Sequence, residues 1–304
     1  MGAGASEPRQ GGAASRRRRV VTSGDEGFLA AAIPFVTDGI AAGDPVLVVL
    51  GARREELLQQ KIDDPEPITF IPASHDIQRP SSRIASLRRS FAVHSASGAE
   101  RIRLVEDLPP SPSGSWQPWL RYEAFALRAF AAYPLVDLSI VASEDVPRSV
   151  IDKLTRVAVH GETAELLDEP VPPVDAPPAI HLEHPAPTEA RRRIADMAAR
   201  LALPIDRQEH IVAAVSEIVT NALVHGAPPM ELCAWAVGGG IEGTVTDHGG
   251  GPSDPTVGLA PADRVPGEGG LGLFIAHQLC DEVTLHRRGM EFTVRLVICR
   301  PPGA

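Results

Sequence analysis

The stretch IVAAVSEIVTNALVHG, residues 211–226, decides the fold of the second half of this 304-residue chain. Apolar residues recur at Ile211, Val215, Ile218 and Ala222, the period of a helix that lays one stripe on a sheet. The spacing predicts a helix from about Arg207 to His225. Glu217, Asn221 and His225 stand four apart, so a carboxylate, an amide and an imidazole share another face. Such a face suits the wall of a cleft, and equally a helix surface turned to water.

Downstream, a hairpin is predicted from Glu231 to Val237 and Ile241 to Val245 around Gly238-Gly239-Gly240, followed by Thr246-Asp247-His248-Gly249-Gly250-Gly251. An aspartate ending a strand can accept a hydrogen bond from an exocyclic amine, and Gly249 and Gly251 let backbone approach a ligand. The plainer alternative is a turn capped by an aspartate. After the Pro/Asp-rich stretch 252–266 comes Gly267-Glu268-Gly269-Gly270-Leu271-Gly272-Leu273, predicted to run into a helix from Phe274 to Leu279. Glycine-rich backbone before a helix presents amide donors and a positive dipole end to phosphate. Gly267, Gly269 and Gly272 also satisfy the dinucleotide pattern G-x-G-x-x-G, but no buried strand precedes them and the acid about twenty residues on, Glu291, opens a strand instead of closing one. A hydride-transferring enzyme therefore fits poorly.

Upstream, seven prolines fall in the eighteen positions from Pro170 to Pro187, which blocks helix and central strand and marks a domain boundary. Ile180 to Glu183 alternates and is read as an edge strand of the carboxy-terminal domain. Before the boundary, β-branched runs alternate with amphipathic ones, the pattern of a parallel sheet covered by helices. Strands are read at Val20-Val21, Val46 to Leu50, Ile68 to Ile71, Ile102 to Val105 and Val136 to Val141. The intervening helices run from a Ser23 to Glu26 capping box to about Ala42, then over 53–62, 82–93, 119–132 and 147–159. This is a doubly wound α/β domain. Lys61 and Lys153 are the only lysines and neither follows a G-x-x-x-x-G frame, so a phosphate-loop ATPase is excluded. Arg121 and Glu123 stand out as charges on an apolar helix, facing either a ligand pocket or an ion-paired surface.

Composition narrows the class. Apolar residues make up 43% and charged residues 22%, and no apolar run approaches the roughly 20 residues of a membrane span. Acids outnumber lysine and arginine 39 to 29, a net charge of -10, which argues against nucleic acid phosphates as the main partner. Cys233, Cys280 and Cys299 form no C-x-x-C pair, so a reducing, cytoplasmic setting is expected. Met1 to Arg19, with four consecutive arginines from Arg16, reads as a disordered basic tail. Arg191, Arg192 and Arg193 read as a solvated helix face.

The three ordered motifs of the second half, E-x-x-x-N, D-x-G-x-G and G-x-G-G-x-G-L, resemble the GHKL ATP-binding superfamily. Their wording, AVSEIVTNALVHG, TVTDHGGG and GEGGLGLFIAHQLCDEV, is similar to its anti-sigma-factor serine kinase branch, over roughly residues 179–300. GFLAAAIPFVTDGIAAGDPVLVVL, with Arg121-Tyr122-Glu123-Ala124, resembles the MEDS sensory domain, RecA-like without a phosphate loop, over about 20–168; residues 169–178 then form the linker. The superfamily resemblance implies a GHKL α/β sandwich in which Asn221 holds Mg2+ on the ATP phosphates and Asp247 reads adenine. Gly249 and Gly251 would shape the pocket, and Gly267, Gly269, Gly270, Leu271 and Gly272 would meet the phosphates. Glu217 would be the general base, residues 252–266 a mobile lid, and the partners a sigma factor and a STAS-type antagonist. A homodimer and a small-molecule signal at the amino-terminal domain are also implied. The family's final strand usually carries a glycine-threonine pair near the phosphates, where this chain reads Gly289-Met290-Glu291-Phe292-Thr293. Two alternatives stay open: a histidine-kinase-like sensor, for which His75-Asp76 is the only acceptor-type dipeptide, and a nucleotide-gated binding module without phosphotransfer.

Overall fold

A computed structural model describes residues 16–72, 79–109, 114–144, 146–163, 165–261 and 271–300. Contacts divide the chain into two units that do not follow a single cut at the linker. Residues up to 74, 86–109 and 126–158 form the first, and residues 75–85, 110–125 and 159–304 form the second.

The first unit is built on strands β1 (Arg16–Thr22), β2 (Val46–Val49), β3 (Ile68–Phe70), β4 (Ile102–Asp107) and β5 (Leu135–Ala142). They lie in the order β1-β5-β4-β2-β3 with every pairing parallel. Helices α1 (Gly24–Ala42), α2 (Ala52–Gln59), α3 (Pro80–Ala96), α4 (Gln117–Ala129) and α5 (Arg148–His160) alternate with the strands, as the sequence pattern requires. All four residues of β2 are buried, and Phe28, Val36, Leu58, Val105 and Leu138 pack with it into one core. α1 ends at Gly43 in the left-handed region at φ 70°, but Ser23 makes no side-chain capping bond, so the expected capping box is not formed.

Arg16 to Arg19 are a second correction, because they belong to β1 and pair with Val136 to Ser139 of β5. Arg17 sits between two buried carboxylates, 2.6 Å from Asp137 and 3.1 Å from Glu106, and Arg19 donates to the Leu154 carbonyl at 2.5 Å. These partners lie far away in sequence, and composition alone gives such a run the character of a solvated tail.

The second unit carries β6 (Ile180–Glu183), α6 (Pro187–Arg200), α7 (Ile205–His225), β7 (Glu231–Val237), β8 (Gly240–Asp247), α8 (Leu271–Leu279), β9 (Glu282–Arg288) and β10 (Glu291–Ile298). Its sheet runs β6-β7-β8-β10-β9, antiparallel throughout. The stripe Ile211, Val215, Ile218 and Ala222 is buried against Leu232, Val245, Val294 and Leu296, with Ile194 and Ala276 from the flanking helices. The other face of the sheet is polar. There Arg295, buried, makes two bonds to Glu242 at 2.7 and 2.8 Å and one to Glu282 at 2.6 Å. Edge strand β9 is not left bare: the Gln117 amide binds both the N–H and the carbonyl of Leu285, and the Arg287 N–H donates to the Leu167 carbonyl at 2.7 Å. Among the described residues, no helix is long and apolar enough to cross a membrane.

Candidate functional site

A cavity of about 200 Å³ opens between α7, the end of β8, the following loop, the start of α8 and β10. Asn221, His225 and Asp247 line it with Ile218, Val245, Val257, Leu273, Phe292 and Val294 supplying apolar walls. Of the three residues spaced four apart on α7, two therefore reach the cavity directly. Glu217 joins them through Gly272: a β-carbon on Gly272 would lie 2.7 Å from Asn221 Nδ2 and 3.0 Å from Glu217 Oε2. A glycine here lets the start of α8 close on these two side chains without displacing them.

Asp247 ends β8 and is buried, and one of its carboxylate oxygens accepts the Gly249 N–H at 2.7 Å. Gly251, at φ 67°, lies against the Phe292 ring, where a β-carbon would overlap the ring carbons. The D-x-G-x-G segment is thus a backbone turn folded onto its own aspartate at the cavity mouth. Gly267, Gly269 and Gly270 lie outside the described residues, as does His75-Asp76. Leu271 is exposed and opens α8, which starts three residues before the predicted Phe274. Packing against α7 extends the helix through Gly272 despite the poor helix propensity of glycine.

Thr293 is not part of the cavity. Phe292 and Val294 face it, so strand alternation turns Thr293 to the other side, where its hydroxyl meets Thr246 at 2.9 Å. The two apolar neighbours are cavity-wall residues that the motifs do not mark; the signal that finds them is that same alternation along β10.

Arg121 resolves the question raised by its charge. It is fully buried within the second unit, donating to the carbonyls of Pro255 at 2.6 Å and Val257 at 2.7 Å and contacting His277 Nε2 at 3.2 Å. Since a guanidinium only donates, Nε2 of His277 must be the acceptor. Burial pulls Arg121 down to about 9, with Asp254 opposing the shift, so it stays charged at neutral pH. Burial, and then Arg121 itself, hold His277 well below its ordinary value of 6.5. Arg121 thereby fixes the loop 254–258 whose Val257 lines the cavity.

Residues 182–298 match the family of histidine kinase-like ATPase domains, and residues 20–157 match MEDS, the methanogen/methylotroph DcmR sensory domain. The chain carries both domains, the carboxy-terminal one of the GHKL kind. Among solved structures, the RsbU and RsbW domains of Rv1364c from Mycobacterium tuberculosis are similar over 41% of this chain and 32% of that one, at 22% identity and a TM-score of 0.30. The match spans about a third of that protein's chain. No curated protein matches this chain.

Proposed function

We propose that the second domain binds Mg-ATP in the cavity between α7, α8 and β10 and transfers the γ-phosphoryl group to a serine of a STAS-type antagonist protein. In its other state it sequesters a sigma factor, and the MEDS domain biases the choice. The observation that carries this reading is that Asn221 and Asp247 line one cavity while Glu217 stands beside Asn221 where Gly272 packs against both.

The residues suit the ligand. Asp247 has one carboxylate oxygen engaged by Gly249, and its other can accept an exocyclic amine of adenine lying on Phe292 and Val245. The Asn221 amide oxygen is a hard donor of the kind that holds Mg2+ against phosphates. Bound there, Mg2+ would neutralise charge on the phosphate oxygens. Leu271 and Gly272 at the start of α8, and Gly267, Gly269 and Gly270 just before it in the sequence, would offer backbone amides to the phosphates. Glu217 would take the proton of the substrate serine as its oxygen forms the bond to the γ-phosphorus and the bond to the leaving ADP breaks. Catalysis of this kind is positioning and electrostatics.

The position of Thr293 favours one second reading, a binding module in which nucleotide orders the loop and no phosphate moves. The test is transfer of labelled γ-phosphate from ATP to the STAS-domain proteins of the source genome, beside calorimetric ATP titration. Wild type should phosphorylate one partner on serine, Glu217→Ala should bind ATP yet lose transfer by about 100-fold or more, and Asn221→Ala should lose binding. Tight binding with no transfer to any partner selects the binding module, and unchanged affinity in Asn221→Ala removes the site assignment.

A further inference from the structure

On the face of the second sheet away from its helices, β6 and β7 bring together three side chains that the nucleotide site does not use. His181 stands directly opposite Cys233 in the antiparallel register, and Glu231 lies two residues along β7 on the same face. Core residues Ile180, Leu232 and Ala234 point the other way. The His181 Nε2 and Glu231 Oε1 atoms are 2.5 Å apart, and the imidazole nitrogen, carboxylate oxygen and Cys233 sulfur all lie within 4.8 Å of one another.

We infer that His181, Glu231 and Cys233 form a site for a borderline-soft divalent transition metal, Zn2+ above all. Bond lengths of about 2.0–2.3 Å in a tetrahedron put neighbouring donor atoms about 3.3–3.7 Å apart, so small side-chain rotations bring all three into place. The nitrogen, sulfur and oxygen set discriminates against Mg2+, which seeks six oxygens, so this site and the Mg-ATP site do not compete for one ion. Three protein donors leave the fourth position to water or an incoming ligand. Without an ion the trio is held by the His181–Glu231 contact and by a hydrogen bond from the Cys233 thiol to Glu231, so the three donors are already gathered on one spot.

The ion would act as a staple. β6 has four residues, pairs on one side only and is the first strand after the proline-rich segment, which itself is tied to β7 by the Trp235 indole donating to the Ala176 carbonyl at 2.9 Å. Binding displaces the thiol proton and joins the two strands through the metal.

The probe is Co2+, titrated into the full chain without nucleotide and then displaced by Zn2+. One equivalent should give the near-ultraviolet thiolate-to-cobalt band and the visible bands of four-coordinate cobalt. Stoichiometric Zn2+ should bleach them, a large excess of Mg2+ should not, and Zn2+ should raise the melting temperature. Cys233→Ser should abolish the charge-transfer band, and His181→Ala should weaken affinity by at least the roughly 10- to 100-fold that loss of a supporting partner costs. Glu231→Gln, an exposed isosteric change, should weaken it likewise and guards against misfolding of the other variants. Absence of the band in wild type, or its survival in Cys233→Ser through Cys280 or Cys299, overturns the site.

Discussion

Gly272 concentrates the logic of the nucleotide site in one missing methyl group. Its α-carbon abuts the two α7 side chains to which phosphotransfer is assigned, with the nearest atoms 2.7 to 3.0 Å from where a β-carbon would sit. Separations under about 3 Å force movement, at the low end of the roughly 1–3 kcal/mol of overpacking because the atoms met are the ends of flexible side chains. The cheapest relief is displacement of Asn221 and Glu217, which are only half-buried. Gly272→Ala should therefore leave the protein folded, with a small loss of thermal stability, while ATP affinity falls by about tenfold or more. Calorimetry beside thermal unfolding separates the two effects, and an alanine variant that binds ATP as wild type does would show that Asn221 does not hold the nucleotide. The spacing of Glu217, Asn221 and His225 is legible from the sequence because it is local to one helix. The contact with Gly272 is not, because it joins residues about fifty positions apart through packing.

α8 shows the same division among elements. It has nine residues, too few to be stable alone, so its ends and sides must be held by other segments. At its C-terminus the carbonyls of His277 and Gln278 accept bonds from the Ser81 hydroxyl, at 3.0 Å, and from Arg79. On its side His277 meets Arg121, which also holds the loop 255–257. Replacing Arg121 by Gln removes the donors of two loop carbonyls and the partner of a buried imidazole, a loss of about 3 kcal/mol or more at roughly 1–3 kcal/mol for each of the three groups. Amide hydrogen exchange at Asp254 to Leu259 should rise well above that elsewhere in the second unit, and ATP should bind more weakly because Val257 no longer has a fixed place in the cavity wall. Exchange unchanged in that loop would mean that Arg121 is a packing residue only. The strands and helices of both units are readable wherever period and burial agree, as in β2 or α7. β9, by contrast, reads EVTLHRR, where Val283 and Leu285 alternate with Thr284 and His286 yet both sets are buried, since Gln117 and Leu167 bind its backbone and Glu169 binds His286 from other parts of the chain. Arg17 and Arg19 escape a sequence reading for the same reason, because Glu106, Asp137 and the Leu154 carbonyl come from distant segments.

Over the whole molecule, two opposing charge effects meet as pH falls below neutrality. The chain carries -10 at pH 7 and has an isoelectric point near 5.5, so acidification first relieves long-range repulsion, a mildly stabilising change that 0.15 M salt largely screens. Against it stand His277 and His286, buried and held below their ordinary value of 6.5: His277 by burial and then by Arg121, His286 by burial above all, offset in part by its bond to the Glu169 carbonyl at 2.8 Å. Both titrate more readily unfolded than folded, so below about pH 6.5 the unfolded chain binds more protons and the native state loses stability as pH drops. The neutral imidazoles thus contribute stability above pH 6.5 that is lost progressively towards their folded values. The local effect should win, because it acts in buried surroundings where screening is weak. Urea unfolding at 0.15 M salt should show stability falling between pH 6.5 and 5, with a slope of up to about 1.4 kcal/mol per pH unit for His277 alone. His277→Gln keeps a carbonyl acceptor for Arg121 but cannot bind a proton, so its profile should be flatter than that of wild type by that amount. Parallel profiles for the two proteins would mean that the acid sensitivity resides outside the Arg121–His277 contact.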